Sequence, residues 1–280
     1  MTIRIGHSPD SDDAFMFWGL ASGKVRSEHS FEHILRDIQT LNEWAKEGRL
    51  ESSAVSVHAF SHVCDKYALL RHGGSFGEGY GPMVVAKRPI AAEELPGIRI
   101  AVPGRLTSAF LQLNLWFFDQ FGLEPGPQHE VVPFDQIIPA LQDGQFEAGL
   151  IIHEGQLTYE QEGLVEIINM GKWWKERTGL PLPLGVNVVR KDLGPELCRE
   201  VSRCMRESIE AGLSNRKEAL AYALQFARGL DESTSDEFVG MYVNDRTRDM
   251  GPEGIAAIRR MLSEAAEIGL VPKVDVEVID

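Results

Sequence analysis

Short apolar runs alternate with amphipathic stretches of ten or more residues over roughly the first 190 positions. This switching between period-two and period-3.6 patterns is how strand–helix units of an α/β chain look in sequence. It predicts strands at Ile3 to Gly6, Ala54 to Val57, Met83 to Ala86, Ile98 to Val102, Glu130 to Val132, Ala148 to Ile152, Val165 to Ile168 and Gly185 to Val189, in mainly parallel sheets. From Glu196 onward the strand pattern stops. Periodic segments over Glu196 to Leu213, Arg216 to Ala227, Ser235 to Val243 and Gly254 to Gly269 predict a helical C-terminal third. Earlier, Thr40 followed by Glu43 reads as a capping box ahead of a helix through Trp44, stopped by a left-handed Gly48. Phe110, Leu113, Trp116 and Phe117 recur at helical spacing before Gly122, which predicts a helix over Leu111 to Phe121 with its aromatics in the core.

At 280 residues the chain is about twice the usual length of one domain. Two extended, helix-hostile segments read as crossings between lobes: Lys87-Arg88-Pro89, and Leu180-Pro181-Leu182-Pro183-Leu184-Gly185. Paired crossings predict a discontinuous lobe of residues 1–86 plus 188–280 and an inserted lobe of residues 87–187, with a ligand cleft between them. Ile3-Arg4-Ile5 precedes Ala14-Phe15 at the same spacing as Ile98-Arg99-Ile100 precedes Ala109-Phe110. Each lobe is therefore expected to begin with a strand, a polar loop and a helix, setting two helix N-termini where α/β folds bind ligands.

Charge narrows the partners. Lys and Arg total 28 against 42 for Asp and Glu, a formal net charge of -14 that repels phosphate polymers and anionic lipid, so neither nucleic acid nor membrane is expected. The longest runs free of Asp, Glu, Lys and Arg are 13 residues, short of the roughly 20 that span a bilayer. Met1-Thr2-Ile3-Arg4-Ile5-Gly6 passes straight into a strand-like run without an export pattern. Cys64, Cys198 and Cys204 form no CxxC pair and no metal-ligand spacing, which fits a reducing compartment. A cytoplasmic location is expected.

Four segments bear chemistry. The first loop, His7-Ser8-Pro9-Asp10-Ser11-Asp12-Asp13, reads either as helix capping or as a polar cleft wall. In the second reading its carboxylates accept from ligand hydroxyls while Ser8 and backbone N–H groups hold an anion. It lacks the glycine and terminal glutamate of a calcium loop. The second loop, Pro103-Gly104-Arg105-Leu106-Thr107-Ser108, offers the same choice between capping and anion contact. Gly73, Gly74, Gly77, Gly79 and Gly81 match neither a Walker loop nor a dinucleotide fingerprint, and predict a flexible or tightly turning connection at the cleft margin. His153 follows the apolar run Ala148-Gly149-Leu150-Ile151-Ile152, so it is expected where a buried strand emerges into the cleft. An imidazole titrates near neutral pH and suits proton transfer, with Glu154 beside it to set local charge, while a hydrogen-bonded structural histidine is the alternative. No GxSxG, CxxC or HExxH accompanies it. Trp173-Trp174 reads as core packing in preference to ligand stacking.

Several of these segments together resemble one family. They are Ser8-Pro9 through Phe15-Met16-Phe17, Thr40-Leu41-Asn42, Glu47-Gly48-Arg49-Leu50, Gly81-Pro82, Ala101-Val102-Pro103-Gly104-Arg105, the run from Glu147 to Glu154, and the run from Trp173 to Gly185. The chain is similar, over nearly its whole length, to the 1,4-dihydroxy-6-naphthoate synthases of the futalosine route to menaquinone. The resemblance implies a two-lobed, periplasmic-binding-protein-like (type II) fold. It also implies a lyase that converts cyclic dehypoxanthine futalosine, a small anionic substrate, to 1,4-dihydroxy-6-naphthoate and dihydroxyacetone with no cofactor and no metal. The family's base falls on His153. Its substrate contacts fall on Ala54, Val55 and Ser56 and on Thr107, Ser108 and Ala109, with Ser8 and Asp13 of the first loop in the same cleft. The family's first loop usually reads Ser-Pro-Cys-Pro-Asn-Asp-Thr-Phe, whereas here Asp10 stands for the cysteine and Ala54 for a common lysine. Two other readings share the fold: the sister chorismate dehydratase, and a non-catalytic protein that binds a small anion.

Overall fold

In a computed structural model, which describes residues 1–122, 126–227 and 231–280, Ile3 and Ile5 are fully buried while Thr2 and Arg4 face outward. That alternation makes β1 (Thr2–His7) a strand with one face on the core. Strands β2 (Ser30–Leu35), β3 (Ser52–Ser56), β4 (Tyr67–Leu70) and β5 (Ser75–Gly77) follow. The middle of the chain supplies β6 (Met83–Ala86), β7 (Ile100–Val102), β8 (His129–Val131), β9 (Ala148–Ile151) and β10 (Val165–Asn169), and β11 (Leu182–Arg190) and β12 (Val278–Ile279) complete the set. The first sheet runs β12-β4-β11-β3-β1-β2, with β5 on β11, and the second runs β10-β6-β9-β7-β8.

Both sheets are mixed rather than mainly parallel. β1 is parallel to β2 and β3, β7 to β8 and β9, and β4 to β12. Strands beside the crossings, β6, β10 and β11, pair antiparallel with their neighbours. The crossings also fall earlier than the sequence suggests. Met83–Ala86, expected in the first lobe, belongs to the second sheet, and Leu182–Arg190 lies wholly in the first. The chain therefore passes over between Gly77 and Met83 and returns between Asn169 and Leu182.

The helices are α1 (Ser11–Ala21), α2 (Ile38–Glu47), α3 (Val57–Phe60), α4 (Ser108–Phe121), α5 (Ile137–Gln142), α6 (Gly155–Thr158), α7 (Met170–Thr178), α8 (Pro195–Ser214), α9 (Arg216–Ala223), α10 (Glu232–Tyr242), α11 (Asp245–Arg248) and α12 (Gly251–Glu267). The C-terminal third is helical apart from β12. Capping of α2 differs from expectation: Asp37 is the N-cap, accepting from the Thr40 N–H at 3.0 Å, so the helix starts almost one turn earlier. Gly48 and Gly122 end α2 and α4 in the left-handed conformation. α1 buries six consecutive residues, Ala14 to Gly19, because α8 covers the side away from the sheet. There Ser208 Oγ accepts from the Leu20 N–H at 3.1 Å and donates to the Met16 carbonyl at 2.8 Å.

One apolar cluster joins the two sheets, running from Val55, Tyr67 and Val188 through Trp116 and Phe117 of α4 to Val84, Ile100 and Leu150. Trp174 is fully buried in it and donates to the Pro181 carbonyl at 3.0 Å. Among the described residues no helix is long and apolar enough to cross a membrane.

Candidate active site

β1 ends at His7, β3 at Ser56, β7 at Val102 and β9 at Ile151, and the segments after them converge on one cavity between the sheets. The first sheet contributes Ser8, Asp10, Asp12, Asp13, Ala54 and Ser56, together with Gly185 and Asn187 of β11. The second contributes Thr107, Ser108 and Ala109 at the start of α4, then Ile152, His153 and Gln156. Phe238 and Tyr242 of α10 close it from the helical third.

His153 stands two residues past β9 with φ at +53°, the one positive φ among the described non-glycine residues. Holding such a backbone costs on the order of 1 kcal/mol or more, and it is tolerated where the surroundings dictate the conformation. Two neighbours fix the ring: Asp10 Oδ2 lies 3.2 Å from Nδ1, and Phe134 meets it edge-on with centroids 4.9 Å apart. Asp10 caps α1 with its other oxygen, which accepts from the Asp13 N–H at 3.3 Å. Asp10, Asp12 and His153 each bring one potential metal-ligand atom within 4.8 Å of the others. As they stand, the imidazole and Asp10 satisfy one another.

The loop after β1 is crowded with carboxylates. Burial, then the charges of Asp10 and Asp13, push Asp12 well above the usual carboxylate range, and burial together with Asp10 pushes Asp13 up. Such a group takes up a proton on folding, so its contribution to stability declines as pH rises from the unfolded pKa through the folded one. Asp12→Asn keeps the shape and removes that decline. Its Tm is expected to exceed the parent's at pH 8 and to match it near pH 4, as thermal melts at the two pH values will show.

The second loop is tied down from the first sheet. Thr107 caps α4, accepting from the Phe110 N–H at 3.2 Å. His58 of α3, held neutral by burial with its pKa pushed down to about 4, meets the Thr107 carbonyl through Nδ1 at 3.2 Å. Ser108 Oγ donates to the Leu184 carbonyl. Asn42 of α2 is fully buried and works three ways: Oδ1 accepts from the Ser56 N–H at 2.8 Å, and Nδ2 donates to Ser56 Oγ at 3.0 Å and to the Leu106 carbonyl at 3.3 Å. Asn42→Ala strands a buried N–H and is expected to lower stability by about 2–3 kcal/mol in denaturant melts.

Most of the expected site residues meet here: His153, Ala54, Ser56, Thr107, Ser108, Ala109, Ser8 and Asp13 all line the cavity. Val55 does not. Its neighbours in β3 face the cavity, so strand alternation turns Val55 into the core, where it is fully buried. The Ser8 N–H, expected to help hold an anion, instead donates to Asp13 Oδ2 at 2.7 Å. The sequence reading missed Tyr242, which donates to Gln156 Oε1 at 2.9 Å, and Asn187, which donates to the Gly73 carbonyl at 2.8 Å. Neither carries a local signal, since each partner lies far away along the chain. The glycine-rich segment is a short strand and turn, with the Gly77 and Gly81 region packed against α7.

The sequence profile of a family described as menaquinone biosynthesis matches residues 3–267. The 1,4-dihydroxy-6-naphtoate synthase of Thermus thermophilus is 42% identical over 268 residues, covering 96% of this chain and 95% of that protein. The protein of the same name from Streptomyces coelicolor is 37% identical over 273 residues, covering 97% and 95%. Among solved structures, AF1704 from Archaeoglobus fulgidus matches with a TM-score of 0.90 at 44% identity, over 96% of this chain and 98% of that one. The alkanesulfonate-binding protein SsuA from Xanthomonas axonopodis matches at a TM-score of 0.70 and 14% identity, over 97% and 94%, which extends the likeness of fold to the periplasmic binding proteins.

Proposed function

This chain belongs to the menaquinone-biosynthesis family, and from that premise we propose that it is a carbon–carbon lyase. In this reading it converts cyclic dehypoxanthine futalosine to 1,4-dihydroxy-6-naphthoate, releases dihydroxyacetone and uses His153 as the general base. The observation that carries the reading is the position of His153, which faces the inter-sheet cavity from a strained backbone with one ring nitrogen already engaged by Asp10.

Charge decides how the substrate lies. Among the described residues that line the cavity, none is Lys or Arg, so backbone dipoles must hold the carboxylate. The start of α1 is filled by Asp10, Asp12 and Asp13 and repels an anion. The start of the 14-residue α4 carries no acidic residue, and the first-turn N–H groups at Ser108 and Ala109 lack intrahelical partners, so the carboxylate is assigned there. The hydroxyl-bearing part then faces the aspartates, which accept hydrogen bonds. His153 takes a proton from the substrate, the carbon–carbon bond breaks, and formation of the aromatic ring drives the reaction forward. The reading includes a cytoplasmic location and a small anionic substrate, with neither nucleic acid nor membrane as a partner.

The test is incubation of the purified protein with cyclic dehypoxanthine futalosine and, separately, with chorismate, each followed by mass analysis. Naphthoate from the first and unchanged chorismate from the second are expected. Dehydration of chorismate would assign the sister activity, and binding of the cyclic compound without product would leave an anion-binding protein.

A further inference from the structure

Asp10 and His153 come from different sheets, the first following β1 and the second following β9, and they meet across the cavity. We propose that Asp10 is a positioning residue for His153: its Oδ2 fixes the imidazole as the Nδ1–H tautomer and turns Nε2 toward the substrate. The proposal rests on the reading of His153 as the base.

The carboxylate is itself held in place. It is almost fully buried, at 2% exposure, and its two oxygens are divided between two jobs. Oδ1 caps α1 by accepting from the Asp13 N–H at 3.3 Å, which leaves Oδ2 directed at Nδ1, 3.2 Å away. Asp12, which burial and the charge of Asp10 push toward its protonated form, brings a carboxyl oxygen within 4.8 Å of the same site. Phe134 packs edge-on against the same ring with centroids 4.9 Å apart. A neutral histidine in water favours hydrogen on Nε2, the form in which that nitrogen cannot accept a proton. A carboxylate acceptor at Nδ1 reverses the preference, as the group hydrogen-bonded to one ring nitrogen decides the state of the other.

Two variants of the full-length protein separate positioning from helix capping. Asp10→Ser keeps an N-cap oxygen for the Asp13 N–H but is too short to reach the imidazole, and Asp10→Asn keeps the capping oxygen but turns an amide N–H donor toward Nδ1. With 15N-labelled histidine, NMR is expected to show His153 as the Nδ1–H tautomer in the parent and as the Nε2–H tautomer in both Asp10→Ser and Asp10→Asn. On cyclic dehypoxanthine futalosine, kcat of Asp10→Ser and of Asp10→Asn is expected to fall by about 100-fold with KM changed by less than about 2-fold. An Asp10→Ser protein whose His153 stays Nδ1–H, or whose tautomer shifts without loss of kcat, overturns the positioning role. Full turnover by a His153→Ala enzyme overturns instead the reading on which that role rests.

Discussion

His153→Ala is expected to fold as the parent does and to convert the cyclic substrate about 100- to 10,000-fold more slowly, the span that a positioned general base contributes. The loss should appear in kcat. Carboxylate binding is assigned to the start of α4 in the other loop, so KM should change little. The fold should survive because the imidazole is a rim group of the cavity, its side chain 19% exposed, and no core packing depends on it. What the substitution does leave behind is a buried Asp10 oxygen without its partner, worth about 1–3 kcal/mol. His153→Gly sharpens the experiment. Glycine adopts a φ of +53° without steric cost, so that variant should melt higher than His153→Ala while being equally slow. Parent-like turnover by either variant would remove His153 from the chemistry.

Gly171→Ala is expected to destabilise the protein by about 3 kcal/mol or more, seen as a fall in Tm on the order of 10 °C. A Cβ at Gly171 would stand 2.0 Å from the Tyr80 carbonyl oxygen, and one at Gly77 would stand 1.9 Å from the same atom. Both are far inside contact distance, and the obstacle is main chain, which cannot turn aside as a side chain does. Neither glycine has a positive φ, so the requirement is for space alone. Tyr80 lies on the outward crossing and Gly171 on the return, and the two are stitched by the Met170 N–H donating to the Pro82 carbonyl at 2.9 Å. Forcing them apart strains the only two places where the chain passes between the sheets among the described residues. Gly79→Ala is the control: its φ of +84° carries a conformational cost of about 1 kcal/mol, but nothing lies within 4 Å. Equal melting of Gly171→Ala and the parent would show that the crossings yield freely.

How much of this was legible in the sequence depended on how local the signal was. The run from Ala148 to Ile152 has one reading, a buried strand, so the emergence of His153 at its end could be inferred before any coordinates. Gly48 and Gly122 marked helix ends for the same reason. Val55 was misplaced although strand periodicity alone separates it from Ala54 and Ser56, because a family contact carried over as a block ignores which way each residue faces. Short or half-exposed strands, such as the four residues of β4 and the edge strand β2, lack a pattern long enough to read. The partnership of Asp10 with His153, and of Tyr242 with Gln156, was out of reach for a different reason. Those pairs exist only because two crossings bring separate sheets face to face.

Tyr80, Pro82, Met170 and Gly171 hold the two crossings together, and the bonds of Asp10 with His153, Asn42 with Leu106, His58 with Thr107 and Tyr242 with Gln156 tie the segments around the cavity to one another. A guest larger than the cavity is expected to enter only when those bonds part. For such a guest the binding rate is expected to level off as ligand concentration climbs, and a rate that keeps rising in proportion shows that the bonds do not stand in its way.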